Sequence, residues 1–239
     1  TLIYRTQKRS YRDPPIRMAE LGLVHRNEVS GALHGLFRTK SFTIDDAHIY
    51  CTEDQIRQEV EGCIELLTEI YRVYGFDTIY VKLSTRPEES MGSDEIWEKA
   101  TRSLRDALEH HNAEYTVQDG GGAFYGPKID FEVEDSLGRT WQCGTIQLDF
   151  QMPERLDLEY TGSDGAAHRP VMVHRAIFGS VERFFGILIE HFGGAFPVWL
   201  APVQVVVAAI SEKQASYARQ VYDKIMAAGI RAGGGVSDG

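Results

Sequence analysis

One stretch constrains this chain more than any other: Val24–Tyr50, VHRNEVSGALHGLFRTKSFTIDDAHIY. Side chains alternate faces along a strand. Val24, Arg26 and Glu28 therefore share a face, as do Arg38, Lys40, Phe42, Ile44, Asp46 and His48 beyond the glycine-marked segment Ser30–Gly35. Two such strands joined by a glycine-containing segment read as an antiparallel pair. If like faces meet, the pair gathers arginines, a lysine, carboxylates, a ring and a histidine. Unpaired buried charge is too costly for that face to be core. It suits either a solvated outer sheet face or the floor of a site for an anionic, ring-bearing ligand.

At 239 residues the chain has room for one large domain, or one and a half smaller ones, around a sizeable core. No apolar run approaches the roughly 20 residues of a membrane span, and the N-terminus TLIYRTQKRS has no apolar signal region. Cys51, Cys63 and Cys143 show no close metal-knuckle spacing, which points to a reducing cytoplasmic setting. A net charge of −10 argues against a general nucleic-acid coat but is compatible with a local RNA contact.

Along the chain, a basic segment Arg5–Arg12 leads to a Pro14–Pro15 turn and then to the paired strands. Thr52-x-x-Gln55 has the capping-box pattern, and Ile56, Val60, Cys63, Leu67, Ile70 and Tyr74 make an apolar helical stripe ended by Gly75. Asp77–Ser84 reads as a strand. Ser93 or Asp94 caps a second helix with Ile96, Trp97, Ala100, Leu104 and Leu108 inward. Tyr115–Gln118 starts a strand, and the glycine-rich turn from Asp119 leads into another that ends at Glu134. A hairpin at Ser136–Gly138 enters a long strand, Arg139–Gln151. After a loop at Gly162–His168, Val171–Phe178 reads as a strand. Ser180 then caps a helix to about His191 that is apolar nearly all round and so predicted to be centrally buried. Gly193–Pro197 reads as a domain boundary. Beyond it, Gln204–Ile210 has the continuous apolar character of a parallel strand buried on both faces, followed by a helix from about Ser211. The fold class is α+β: a mainly antiparallel sheet flanked by helices over residues 1–197, then one βα unit over 198–239. Gly120–Gly122 precedes a strand, not a helix, so it is no dinucleotide-binding turn.

Four segments then appear in order: His25-Arg-Asn-Glu28, Phe42-Thr-Ile-Asp-Asp-Ala-His48, Gly122-Ala-Phe-Tyr-Gly-Pro-Lys-Ile-Asp-Phe131 and Arg169-Pro-Val-Met-Val-His-Arg-Ala-Ile-Phe-Gly-Ser-Val-Glu-Arg183. Together they closely resemble the threonyl-tRNA synthetases, a family of class II aminoacyl-tRNA synthetases. The resemblance implies activation of L-threonine by ATP to an adenylate, then transfer to the 3′ end of tRNA(Thr), by a cytoplasmic homodimer with no membrane or DNA partner. By resemblance, Arg26 holds the α-phosphate, Arg183 the far end of a bent ATP, and Arg38 another phosphate. Glu28 reads adenine, Phe42 stacks on it, and Gln142 contacts ATP. Asp46, Tyr125, Lys128 and Gln147 belong to the threonine pocket. Gln142 and Gln147 are an odd number of positions apart, so both can face one site only across a bulge near Gly144.

The resemblance also implies Mg²⁺ with ATP, and a Zn²⁺ held by His48, His174 and a cysteine. A metal that must bind a hydroxyl rejects valine, which an apolar pocket could not easily do. That cysteine belongs to a Cys-Pro-Gly-His segment expected before Thr1, along with motif 1 of the dimer interface and an editing domain. The chain thus reads as a catalytic core truncated at both ends, with the 198–239 segment opening an anticodon-binding domain. Ile44 stands where glutamine is expected, and Ala176 where glycine is frequent.

Overall fold

The computed structural model describes residues 1–234, and its contacts divide into two units, Thr1–Ile187 and Leu188–Gly239. The first unit is built on a seven-stranded sheet. Its strands are β1 (Ile16–His25), β2 (Ser41–Cys51), β3 (Ile79–Ser84), β4 (Thr116–Gln118), β5 (Lys128–Glu134), β6 (Thr140–Asp149) and, after two short strands, β9 (Val171–Ala176). They lie in the order β1-β2-β9-β6-β5-β3-β4. Every neighbouring pair is antiparallel except β3 with β4, so the sheet is mainly antiparallel, as the sequence predicts.

The two faces differ in chemistry because the strands alternate. One face carries Ile49, Leu83, Ile129, Phe131, Ile146, Leu148 and Val173, each at most 4% exposed. Helix α1 (Ile56–Val73) and helix α2 (Asp94–His110) pack on it. Thr52 and Gln55 form the reciprocal capping box ahead of α1, with the Thr52 amide donating to Gln55 Oε1 at 3.0 Å. A short 3-10 turn at Glu53–Gln55 intervenes. The buried stripe of α1 runs through Ile64 and Tyr71, while Ile70 and Tyr74 are only half-buried. Ser93 caps α2, its Oγ accepting from the Ile96 amide at 3.4 Å.

The opposite face carries polar residues in register. Met18, His48, His174, Gln147, Lys128, Ser84 and Gln118 form one rung across all seven strands. Between β5 and β6 the pairing shifts from Phe131↔Gly144 to Glu132↔Gln142, leaving Cys143 as the extra residue of the expected bulge. Glycine is required there. A Cβ on Gly144 would lie 2.3 Å from Leu67 Cδ1 and 2.8 Å from the Tyr71 hydroxyl.

Four predictions need correction. The motif strand begins at Ile16, well before Val24, because Ile16–His25 pairs with Ser41–Tyr50 along its whole length. Arg26, Glu28, Arg38 and Lys40 therefore lie in the β1–β2 connection, where only the Arg26 amide to Lys40 carbonyl bond (2.8 Å) extends the ladder. The Gly162–His168 loop is a small hairpin of β7 (Tyr160–Thr161) and β8 (Ala167–His168), following the short helix α3 (Gln151–Arg155). Helix α4 (Val181–His191) is not buried all round: Phe184 and Ile187 are buried, but Val181 and Phe185 are 36% and 49% exposed. On its inner side, Phe184 meets an aromatic cluster of Tyr71, Tyr74, Phe76 and Phe178. In the second unit, Gln204–Ile210 gives only β10 (Val205–Val206), with Val206 69% and Ile210 98% exposed. It is parallel, as predicted, but to β11 (Ala232–Gly233), reached through α5 (Ala215–Ala227). One neighbouring strand cannot bury both faces. Residues 235–239 of the predicted final segment lie outside the described residues.

Candidate active site

The polar sheet face, the β1–β2 connection, the Tyr125 turn and the start of α4 enclose a cavity of about 580 Å³. All twelve residues singled out in the sequence line it: Arg26, Glu28, Arg38, Phe42, Asp46, His48, Tyr125, Lys128, Gln142, Gln147, His174 and Arg183. Lys40, on the same predicted face, is exposed and lies outside.

One end is cationic. Arg26 sits with its guanidinium 5.0 Å from the centre of the Phe42 ring, a cation–π contact. Arg38 donates through Nε to Glu28 Oε2 at 3.0 Å, with Nη2 equally close. Glu28 thus pairs with Arg38, not with Arg26. Arg183 is placed by the first turn of α4, where its amide donates to Ser180 Oγ at 3.1 Å. Its guanidinium donates to the carbonyls of Phe37 (2.8 Å) and Gln142 (3.2 Å). Burial, with Arg38 and Arg26 nearby, lowers its pKa, yet an arginine stays charged. Three guanidinium groups around one cavity, two of them anchored, make a ready anion clamp. Glu182 fixes α4 to the floor, its two carboxylate oxygens accepting from the Thr43 amide at 2.9 Å each.

The other end is built on the His48–His174 rung. The two rings meet edge-on with centroids 4.7 Å apart, and His174 also lies 5.2 Å from Tyr125. Burial first, then the neighbouring His174, lowers the His48 pKa, so its imidazole is neutral at neutral pH and keeps a lone pair for a ligand. Asp46 Oδ2 is 3.7 Å from His48 Nδ1. Tyr125 donates its hydroxyl to Gln147 Oε1, and burial with Asp149 and Asp46 nearby raises its pKa to about 12, so it remains a donor. Two imidazoles suit a zinc ion, but among the described residues no group of three His, Cys, Asp or Glu closes around a metal. The three cysteines are buried thiols with burial-raised pKa values of about 12, 11 and 12 for Cys51, Cys63 and Cys143, the opposite of metal-ready thiolates. The described residues thus offer a zinc two imidazole donors, His48 and His174, and no third ligand beside them.

Around the site lie three buried aspartates that the sequence reading did not single out. Asp45, 8% exposed, accepts from the amides of Ile177, Phe178 and Gly179 at 2.7, 3.0 and 3.0 Å and so holds the turn before α4. Asp130, 3% exposed, pairs with Lys128 Nζ at 2.8 Å and accepts from Gln142 Nε2 at 2.6 Å. Asp149, fully buried, meets His174 Nε2 at 2.9 Å. A signal was available: Asp130 and Asp149 share strand parity with the site residues Lys128 and Gln147. Ile44 lines the cavity and bridges to Ser180, and Ala176 lines it beside Thr145.

A family model described as the tRNA synthetase class II core domain (G, H, P, S and T) matches residues 1–192. The chain belongs to this family. Threonine--tRNA ligase of Carboxydothermus hydrogenoformans is 60% identical over 230 residues, covering 96% of this chain and 36% of that protein. This chain thus spans about a third of the length of the curated relatives it matches. The crystal structure of the RNA binding domain of threonyl-tRNA synthetase from Cryptosporidium parvum Iowa II superposes with a TM-score of 0.95 at 45% identity, over 100% of this chain and 60% of that one. Prolyl-tRNA synthetase from Cryptosporidium parvum superposes with a TM-score of 0.67 at 18% identity, over 97% and 43%, which shows the shared fold alone. In this class II core, all twelve predicted residues lie around a single cavity. No helix among the described residues is long and apolar enough to cross a membrane.

Proposed function

We propose that this cavity activates L-threonine with ATP and passes the product to tRNA(Thr). A threonine carboxylate oxygen attacks the α-phosphorus and pyrophosphate leaves. A terminal ribose hydroxyl then attacks the acyl carbon and AMP leaves. The observation that carries the reading is the polarity of one floor, with Arg26, Arg38 and Arg183 at one end and Asp46, His48, His174, Tyr125 and Gln147 at the other.

Such a reaction needs alignment and neutralisation of growing phosphate charge more than a strong acid or base. Arg26 holds the α-phosphate, Arg38 a further phosphate, and Arg183 the distal one, in company with Mg²⁺. Glu28 and Gln142 orient the nucleotide, and Phe42 supplies a ring face, with Arg26 moving off that ring to reach phosphate. Asp46 accepts from the threonine hydroxyl, while Tyr125, Lys128 and Gln147 line the amino-acid pocket. His48 and His174 would hold zinc together with a third ligand, a cysteine. When bound, the metal supplies a coordination site that demands the threonine hydroxyl and so excludes valine. The functional protein is a cytoplasmic homodimer, and the βαβ arrangement of residues 204–233 supports reading 198–239 as the opening of an anticodon-binding domain.

Amino-acid-dependent ATP–pyrophosphate exchange tests this. Exchange driven by threonine, not by valine, serine or proline, and lost in R26Q and R183Q supports it. Exchange driven by proline or serine instead identifies a synthetase of other specificity. No exchange and no ATP binding would leave a synthetase-like binding module.

A further inference from the structure

We propose that Asp149 is a positioning residue that sets the tautomer of His174 and so decides which nitrogen that histidine offers to a metal. The inference rests on the zinc reading above and goes beyond it. Asp149 ends β6, is fully buried, and its two oxygens have separate tasks. Oδ1 accepts from the amides of Gln151 (2.8 Å) and Met152 (2.9 Å) at the start of α3. Oδ2 lies 2.9 Å from His174 Nε2.

A carboxylate whose Oδ1 already accepts from two amides is placed to accept again through Oδ2, which calls for the imidazole proton on Nε2. The lone pair is then on Nδ1, and His174 has one defined face for a ligand. His174 stands directly opposite His48 in the strand register, which brings the two donors together. Histidine ligands are commonly oriented by a carboxylate in this way, and loss of such a partner typically weakens metal binding about 10- to 100-fold. The competing explanation is a purely structural role, Asp149 serving only to hold the two amides that open α3.

Asp149→Asn separates the two. The side-chain oxygen of the amide can still accept from Gln151 and Met152, but its NH₂ must donate to Nε2. That drives the proton to Nδ1 and blocks the lone pair. Three measurements are made on the whole chain: ¹⁵N NMR of the His174 ring without metal, assigned with H174Q, Zn²⁺ affinity by chelator competition, and thermal midpoint. The expected result is an Nε2–H tautomer in the wild type, an Nδ1–H tautomer in D149N, zinc binding weakened about 10- to 100-fold, and a midpoint within a few degrees. An Nδ1–H tautomer in the wild type overturns the proposal without recourse to any variant. So does D149N binding zinc as tightly as the wild type while H174Q binds it weakly, which leaves the zinc reading standing. If H174Q and H48Q both bind zinc as the wild type does, the zinc reading itself falls and takes this inference with it.

Discussion

Replacing Asp130 by alanine should be among the most damaging single changes to this floor, and the reason lies in what it leaves behind. The carboxylate is 3% exposed and takes Lys128 Nζ at 2.8 Å, Ser84 Oγ at 3.0 Å, Gln142 Nε2 at 2.6 Å and Thr145 Oγ1 at 3.2 Å. Summing four charge-assisted bonds at about 1.5–3 kcal/mol each would overcount, because they share one group and are not independent. The dominant cost is the Lys128 ammonium, whose side chain is only 17% exposed and would lose its counter-ion. Orphaning a fully buried partner costs about 3–5 kcal/mol, and because Lys128 lines the cavity the expected loss lies at the lower end, about 3 kcal/mol. D130N, which keeps the shape and one acceptor, should lose about 1.5–3 kcal/mol. K128M placed on D130A removes the orphan and should recover a large part of the loss. Urea unfolding followed by tryptophan fluorescence measures all four proteins. D130A lying within about 1 kcal/mol of wild type, or K128M/D130A no more stable than D130A, would refute the reasoning.

Gly144→Ala forces a methyl against Leu67 and Tyr71, which should cost about 1–3 kcal/mol. It should also raise the KM for ATP, since the bulge keeps Gln142 and Gln147 facing one cavity; an unchanged KM would detach the bulge from the site. Asp135 is nearly buried, and burial alone would raise its pKa. Bonds from Trp141, Arg139 and the Leu137 amide outweigh that and hold it at about 2. Its folded pKa is depressed, so its contribution is present above the ordinary carboxylate range and lost as pH falls from near 4 toward 2. The stability of D135N should therefore fall less steeply over that interval in acid titrations of the urea midpoint. Finally, Cys51, Cys63 and Cys143 should resist a thiol-specific disulfide reagent at pH 8 in the native protein and react on unfolding, because burial suppresses both access and thiolate.

What the sequence made legible was whatever depended on period. The strand period sorted Phe42, Asp46 and His48 onto one face. It also required a bulge between Gln142 and Gln147, and the shift between Phe131 and Glu132 supplies it. Period alone failed where environment decides. Helix α4 reads as apolar nearly all round, yet Phe185 is 49% exposed. Gln204–Ile210 is a continuous apolar run, yet only two residues pair. Apolarity says that a surface can be buried, not that something within these residues covers it.

The least legible part was the layer of aspartates, and their position explains why. Asp45, Asp130 and Asp149 each satisfy donors that lie far away in sequence: the 177–179 amides for Asp45, Gln142 and Ser84 for Asp130, His174 for Asp149. A buried carboxylate is tolerable only if its partners arrive together, and that depends on cross-strand register. Register is also what brings His48, His174, Gln147 and Lys128 into one rung. A slip of one residue in β9 would turn His174 away from the floor and strand Asp149 without its partner. The polar face thus helps to specify its own alignment, since its buried carboxylates are satisfied in the same register that assembles the residues lining the site.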